Sequence, residues 1–377
     1  MAVETMPPLA ETAPPRARRE SQLALMWRRF RQHQLAVVSL WIVVAFYLVA
    51  ALAEFLAPVD PAFYSARYTY APPQGINFIV NDENGWRFQP HVNGYKSEID
   101  PAAMRRTFVI DPEEIIPVRF FAPTEPYRLA GFIPMSVKLM GVENPRDPFY
   151  VLGADRLGRD LLSRLIHGTR ISLSIGLAGV TLSLFFGIII GGFAGYYGGL
   201  FDSAVMRVIE FIRSMPTIPL WLGLAAALPK DWSALQTYFA ITIILSLIGW
   251  TELARVVRGR FLSLRTEDFV TAAQLDGASD WRIITRHMVP SFTSHIIAAA
   301  TLAIPGMILA ETALSFLGLG LQPPIVSWGT LLQEAQNIRT LATAPWLLTP
   351  GICVVVVILA LNFFGDGLRD AADPHGR

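Results

Sequence analysis

Six apolar runs, each about twenty residues or longer, decide what this chain can fold into. They lie at Leu35–Pro58, 170–197, 204–228, 238–258, 291–316 and 346–365. About 20 apolar residues suffice for a helix to cross the hydrocarbon core. Backbone N–H and C=O groups find no water there, so such runs must be helical or closed into a barrel. Only 16% of the 377 residues are charged, against about 25% in soluble domains. The expected class is therefore an all-α polytopic membrane protein with six spans. The first run could instead be a secretory signal, with Ala51-Leu52-Ala53 at the cleavage site. It is longer than the ~7–15-residue core of a signal peptide, so an uncleaved anchor is expected.

Residues 59–165 break the pattern. This stretch is rich in proline and aromatic residues and has no apolar run. Asn84-Gly85 in "NDENGWRF" reads as a turn between short strands, because Asn-Gly tolerates positive φ. A small strand-rich insert is expected between spans one and two, with Trp86, Phe88, Tyr95 and Tyr127 forming its own core. The remaining layout is a 1–34 tail, a first helix at 35–58, a five-helix core at 166–368 with a polar loop at 259–290, and a 369–377 tail. Short polar segments set the orientation. Arg16, Arg18, Arg19, Arg28, Arg29 and Arg31 precede the first span; Arg255, Arg258, Arg260, Arg265, Arg282 and Arg286 lie between spans four and five. The 229–237 loop has only Lys230, and the 317–345 loop only Arg339. Basic loops stay cytoplasmic, so both termini are expected there and the insert outside.

Net charge is +1, which points to no nucleic acid. The single cysteine, Cys353, excludes disulfides and CxxC metal sites. No Gly-Lys pair occurs, hence no P-loop, and the six histidines are scattered. No catalytic residue, metal site or cofactor of this chain is expected. Among charges near spans, Glu252 and Arg255 read as interfacial, and Glu210 as a partner of Arg207 or Arg213. Only Glu311 lies deep. It is read chiefly as a structural hydrogen-bonding group, and with Thr312 as a possible lining of a solute path.

One polar stretch is unusually ordered: "TAAQLDGASDWRIITRHMVP", Thr271–Pro290. Thr266 reads as the N-cap of a short helix, with Glu267 and Asp268 at its dipole-positive end. Gly277 suits the residue just past the helix, Ser279 or Asp280 caps a second helix, and Pro290 closes it. Paired Ala272 and Ala273 leave a small face, fit either for a groove on another protein or for a membrane surface.

The stretch resembles the EAA loop of ABC-importer permeases. Ala272, Ala273, Gly277 and Pro290 match that pattern; Thr271 replaces its glutamate, His287 its isoleucine and Val289 its leucine. "LGADRLGRDLLSRLIHGTRISL", "GYYGGLFDSAVMRVIEFIRSMP", "ALSFLGLGLQPPIVSWGTLL" and "GDGLRDAADP" resemble the dipeptide/oligopeptide/nickel branch, in its second-permease position. The insert is longer than that branch usually carries. The resemblance implies the type I importer permease fold in a bacterial inner membrane. It implies four kinds of partner: a homologous permease, two ATP-binding subunits that bind ATP and Mg, a periplasmic solute-binding protein, and the bilayer. It also implies a coupling role for Thr266, Asp268, Thr271, Ala272, Ala273, Asp276, Gly277 and Pro290. A stand-alone secondary transporter or channel is the alternative. The insert would dock the binding protein and cap the path, or serve as a spacer.

Overall fold

The computed structural model describes residues 22–82, 85–100, 105–144, 146–229 and 231–372. The expected N-terminal tail up to residue 21, Asn84, Lys230 and the last five residues lie outside the described residues.

Helix α1 (Gln22–Phe30) leads into α2 (Gln34–Ala51), whose first turn is capped by His33 Nδ1 accepting the Ala36 N–H. The first apolar run is not one helix. It bends at Leu52, and α3 (Ala53–Leu56) continues it, carrying Glu54.

The insert is an antiparallel meander: β1 (Asn77–Asp82), β2 (Gly85–Asp100), β3 (Arg105–Leu129) and β4 (Ile133–Val142). Two strands are long rather than short, 16 and 25 residues. Of the four prolines in β3, Pro112, Pro123 and Pro126 fall at or beside its bulges, and Pro117 stays in register opposite His91. Between the pairs Asn93–Ile115 and Gly94–Asp111, β3 accommodates Pro112–Glu114 as extra residues. A second irregularity separates Pro123–Val137 from Tyr127–Met135. Bulges absorb residues that cannot join a ladder.

Tyr68, Tyr95, Phe108 and Tyr150 form an aromatic cluster, and Val92, Ile116, Val118 and Phe149 a second one. Trp86 and Phe88 do not belong to that core: they are 78% and 74% exposed. They sit where β2 pairs only with β1, whose Phe78 and Ile79 are exposed too. Tyr127 is half-buried, its hydroxyl donating to the Val137 carbonyl at 2.7 Å.

The helical part begins earlier than the apolar pattern predicts. Helix α4 runs Leu161–Tyr197, 37 residues, or about 56 Å at 1.5 Å per residue. Its first turns are polar, and ion pairs settle Arg164 and Arg170 there. Helices α5 (Gly199–Ser214) and α6 (Thr217–Ala226) follow, then α7 (Ala234–Leu264). The expected single span at 204–228 is broken: α5 and α6 meet at 85°. Pro216 forces Met215 out of helical geometry, to φ −81° and ψ 141°. Next come α8 (Asp268–Leu275), α9 (Asp280–Arg282), a π-helical turn at Ile283–Met288, and α10 (Val289–Ser291). The chain ends with α11 (Thr293–Phe316), α12 (Trp328–Gln333), α13 (Ile338–Thr343) and α14 (Thr349–Ala372). Among the described residues, five helices are long and apolar enough to cross a membrane, or six spans if the bent pair is one.

Helices α4 and α7 pack along Gly187, Gly191 and Gly195, one turn apart. A Cβ on Gly191 would lie 2.3 Å from the Ala254 carbonyl oxygen. The backbones therefore touch, as small residues allow between apolar helices.

Candidate functional site

The Thr271–Pro290 stretch folds onto the ends of α4 and α7. Val270, Ala273, Ile283, Ile284 and Met288 are buried against Val257 and Phe261, with Ile188, Phe193 and Tyr196 alongside. Helix α8 ends in a Schellman turn: Gly277 N–H donates to Gln274 O and Ala278 N–H to Ala273 O, both at 3.0 Å. Gly277 has φ +73° and nothing crowds it.

Three local expectations fail. The N-cap is Glu267, not Thr266, whose hydroxyl turns back to the Ser263 carbonyl. The paired alanines do not share a face either: Ala272 is exposed and Ala273 buried, because adjacent helical residues point about 100° apart. The outward surface of α8 is Asp268, Thr271, Ala272, Leu275 and Asp276, with Leu275 84% exposed. Pro290 does not close a helix. It lies within α10, and the chain breaks after it at Phe292 (φ −128°, ψ 24°).

Asp280 holds the second half of the loop. Its carboxylate accepts the hydroxyls of Tyr196 (2.9 Å) and Tyr197 (2.8 Å) at the end of α4. Gln274 donates to Tyr196 Oη at 3.2 Å, so that tyrosine joins α8 to α9. Trp281 stacks on Phe193 at 6.1 Å. Asp202, at the start of α5, receives Arg258 of α7 on both oxygens. Tyr196 and Tyr197 lie some 80 residues before the loop, so nothing in the sequence signals their role.

Glu311 is fully buried. Its carboxylate accepts Ser315 Oγ (2.8 Å), Ser327 Oγ (2.7 Å) and Ser172 Oγ (3.3 Å). Each serine in turn accepts a backbone N–H: Ser315 from Leu321, Ser327 from Thr330, Ser172 from Trp328. Glu311 thus fixes the chain around α12. Neither Glu311 nor Thr312 lines the cavities around Glu252 described below.

Other charges tie the insert to the helices. Arg170 donates to both oxygens of Glu54 and to the Ala50 and Ala51 carbonyls, capping the end of α2. Burial opposes charge on Glu54, but the Arg170 bonds outweigh it and hold its carboxyl down to about 2. Asp160 caps α4 by accepting the Leu162 and Ser163 N–H groups. Burial dominates there and pushes its carboxyl up to about 6 against those bonds. Asp155 pairs with Arg159 and Arg164, and Glu334, next to α12, meets the same arginines.

Arg213 pairs with Glu252 and not with Glu210. Arg213, beside the α5–α6 break, donates to Glu252 of α7. Both line a cavity of about 340 Å³ with Thr217, Trp221, Thr251 and Met307. A second cavity of about 500 Å³ shares Gly249, Glu252, Leu253 and Ala303 with it and continues to Arg260, His295 and Arg369. Among the described residues, no group of three or more His, Cys, Asp or Glu is placed to hold a metal.

Residues 187–377 match the family described as binding-protein-dependent transport system inner membrane component, and residues 21–73 match the N-terminal transmembrane domain of oligopeptide transport permease C. The chain belongs to that inner-membrane component family and is a permease subunit, not an enzyme. It is 33% identical to the dipeptide transport system permease protein DppC of Lactococcus lactis over 93% of this chain and 89% of that one. It is 39% identical to the oligopeptide transport system permease protein OppC of Haemophilus influenzae, over 63% and 75% of the two chains. OppC of Bacillus subtilis is 35% identical over 66% and 82%. A solved structure of the MetNI methionine ABC transporter, inward facing, aligns with a TM-score of 0.40 at 20% identity, over 56% of this chain and 97% of that one.

Proposed function

We propose that this chain is one of two homologous permeases in an ATP-driven importer for peptides or a similar solute. Its six spans, counting α5–α6 as one, adopt the type I importer arrangement, with both termini and α8 in the cytoplasm. Two separate ATP-binding subunits hold ATP and Mg and dock on the outward face of α8, through Asp268, Thr271, Ala272, Leu275 and Asp276. A periplasmic solute-binding protein delivers the solute, and the insert docks that protein and caps the path.

The observation that carries this reading is the mounting of α8. Its inner face packs on α4 and α7, its end is a glycine turn, and its outer face presents exposed Leu275 between the carboxylates of Asp268 and Asp276. Thr271, where a carboxylate is usual in the resembling loop, donates to its own helix at Glu267 O and leaves that contact to Asp268 and Asp276. The relatives named as dipeptide and oligopeptide permeases support the solute class.

The test is co-purification of the ATPase subunits with tagged chain, and ATP-dependent uptake. Gly277→Glu is expected to remove both, since a side chain at φ +73° strains the turn and adds charge beside α8. Retention of both by Gly277→Glu refutes the coupling role.

A further inference from the structure

The two cavities around Glu252 form one groove between α7 and α11. On α7 it is lined by Gly249, Glu252, Leu253, Val256 and Arg260. Gly249, Leu253, Val256 and Arg260 recur at three- and four-residue steps, one face of a helix, with Glu252 beside them and Leu245, Ile248 and Thr251 widening one end. The stripe covers about 16 Å at 1.5 Å per residue, the reach of about five extended residues. The facing wall on α11 is built largely of Ala298, Ala299, Ala303 and Gly306, small side chains that leave room without selecting a shape. Its charges are uneven: Arg213, Arg260 and Arg369 against Glu252. The Trp221 indole N–H in its wall has no hydrogen-bond partner among the described residues. Arg213 and Glu252 are open to exchange, their side chains 41% and 61% exposed, and Arg213 stands beside the 85° break between α5 and α6.

We infer that this groove is a solute-binding site for extended, carboxylate-bearing, zwitterionic chains, with the Arg213–Glu252 pair as its latch. The solute carboxylate takes Arg213 or Arg260. Its ammonium takes Glu252 in place of Arg213. A solute with both ends can open the pair without leaving either charge unpaired, whereas a neutral solute cannot. The inference rests on the permease reading but has its own test.

The chain has one cysteine, Cys353, so thiol probes can be placed cleanly. In a Cys353→Ser background, Gly306→Cys and, as a second variant, Ala299→Cys are assembled with the ATPases and sister permease in liposomes. Gly306 has open space where a Cβ would go. The groove predicts that an anionic methanethiosulfonate reacts about tenfold faster than a cationic one, because lining charges set local reagent concentration. Arg213→Gln with Arg260→Gln brings the ratio towards one, Glu252→Gln raises it, and excess trialanine slows the reaction. No labelling at either position, or equal rates for the two reagents, overturns the inference. If the ATPases do not co-purify while the charge preference holds, the importer reading falls and the groove stands. If they co-purify and the preference is absent, the groove alone falls.

Discussion

Replacing Glu311 tests whether a buried carboxylate organises the α11–α12 region. Three serine hydroxyls donate to it, and each serine fixes one backbone N–H: Leu321, Thr330 and Trp328. Glu311→Ala leaves three buried hydroxyls without their acceptor and opens a void. Each orphaned buried group costs about 1–3 kcal/mol, and the losses are not independent, so about 3–6 kcal/mol is expected in total. At roughly 2 °C per kcal/mol for a chain of this size, the melting temperature in detergent falls by about 6–12 °C. Glu311→Gln keeps one carbonyl oxygen for Ser315 and Ser327 and should lose about a third as much. Ser172→Ala removes one donor and should resemble it. The assay is thermal unfolding followed by size-exclusion, with uptake in parallel. A Glu311→Ala protein that melts within about 1 °C of the parent refutes the anchoring argument. A Glu311→Gln protein with the parent's melting temperature and no uptake at any pH would instead mark Glu311 as a proton carrier.

Four further outcomes rest on contacts elsewhere in the chain. Gly277→Ala should lose about 1 kcal/mol through its left-handed backbone, and Gly277→Asn less, measured by thermal melting. Tyr196→Phe with Tyr197→Phe frees Asp280 and Gln274; the melting temperature should change little while uptake per ATP hydrolysed falls at least severalfold. For pH, Asp160 has a folded value raised from 3.8 to about 6, so its contribution is full below about 3.8 and lost as pH rises through about 6. Asp160→Asn keeps the cap and should flatten the fall in melting temperature between pH 4 and 7. Glu54 has the opposite sign, lowered from 4.5 to about 2: its stabilisation is present above about 4.5 and lost as pH falls towards 2, so Glu54→Gln should differ from the parent at neutral pH and converge with it in acid.

Apolar length made the long helices legible, and turn chemistry made the α8–α9 stretch legible, since glycine at the end of a short periodic segment has few other uses. What failed was whatever depended on partners distant in sequence. The apolar run begins at Arg170, but Asp155 and Glu54 neutralise Arg164 and Arg170, and α4 starts nine residues before that run. Spacing within one helix offers Glu210 to Arg207 or Arg213, whereas Arg213 pairs with Glu252, 39 residues further on, which no helical period signals. Trp86 and Phe88 looked like core because aromatic residues usually are, yet a two-stranded arm has no second layer to bury them. Ala273 and Ala272 form a pair in sequence and not in space, which a helical period alone could have revealed.

The same contacts indicate where movement at α8 can go. Backbone contact at Gly187, Gly191 and Gly195 leaves α4 and α7 no side-chain layer in which to slide, and packed interfaces are not continuously deformable. Tyr196, Tyr197 and Asp280 fasten the loop to α4, and Phe261 and Val257 fasten it to α7. Arg258 and Asp202 bring the start of α5 into the same unit. The break in helical pairing nearest this unit is at Met215–Pro216, where α5 turns 85° into α6. The Arg213–Glu252 pair bridges that break to α7, so a displacement entering at α8 must either keep this pair and carry α6 along, or break it. Fixing the elbow by Pro216→Ala, which allows the helix to continue, should then leave ATPase association intact and suppress uptake.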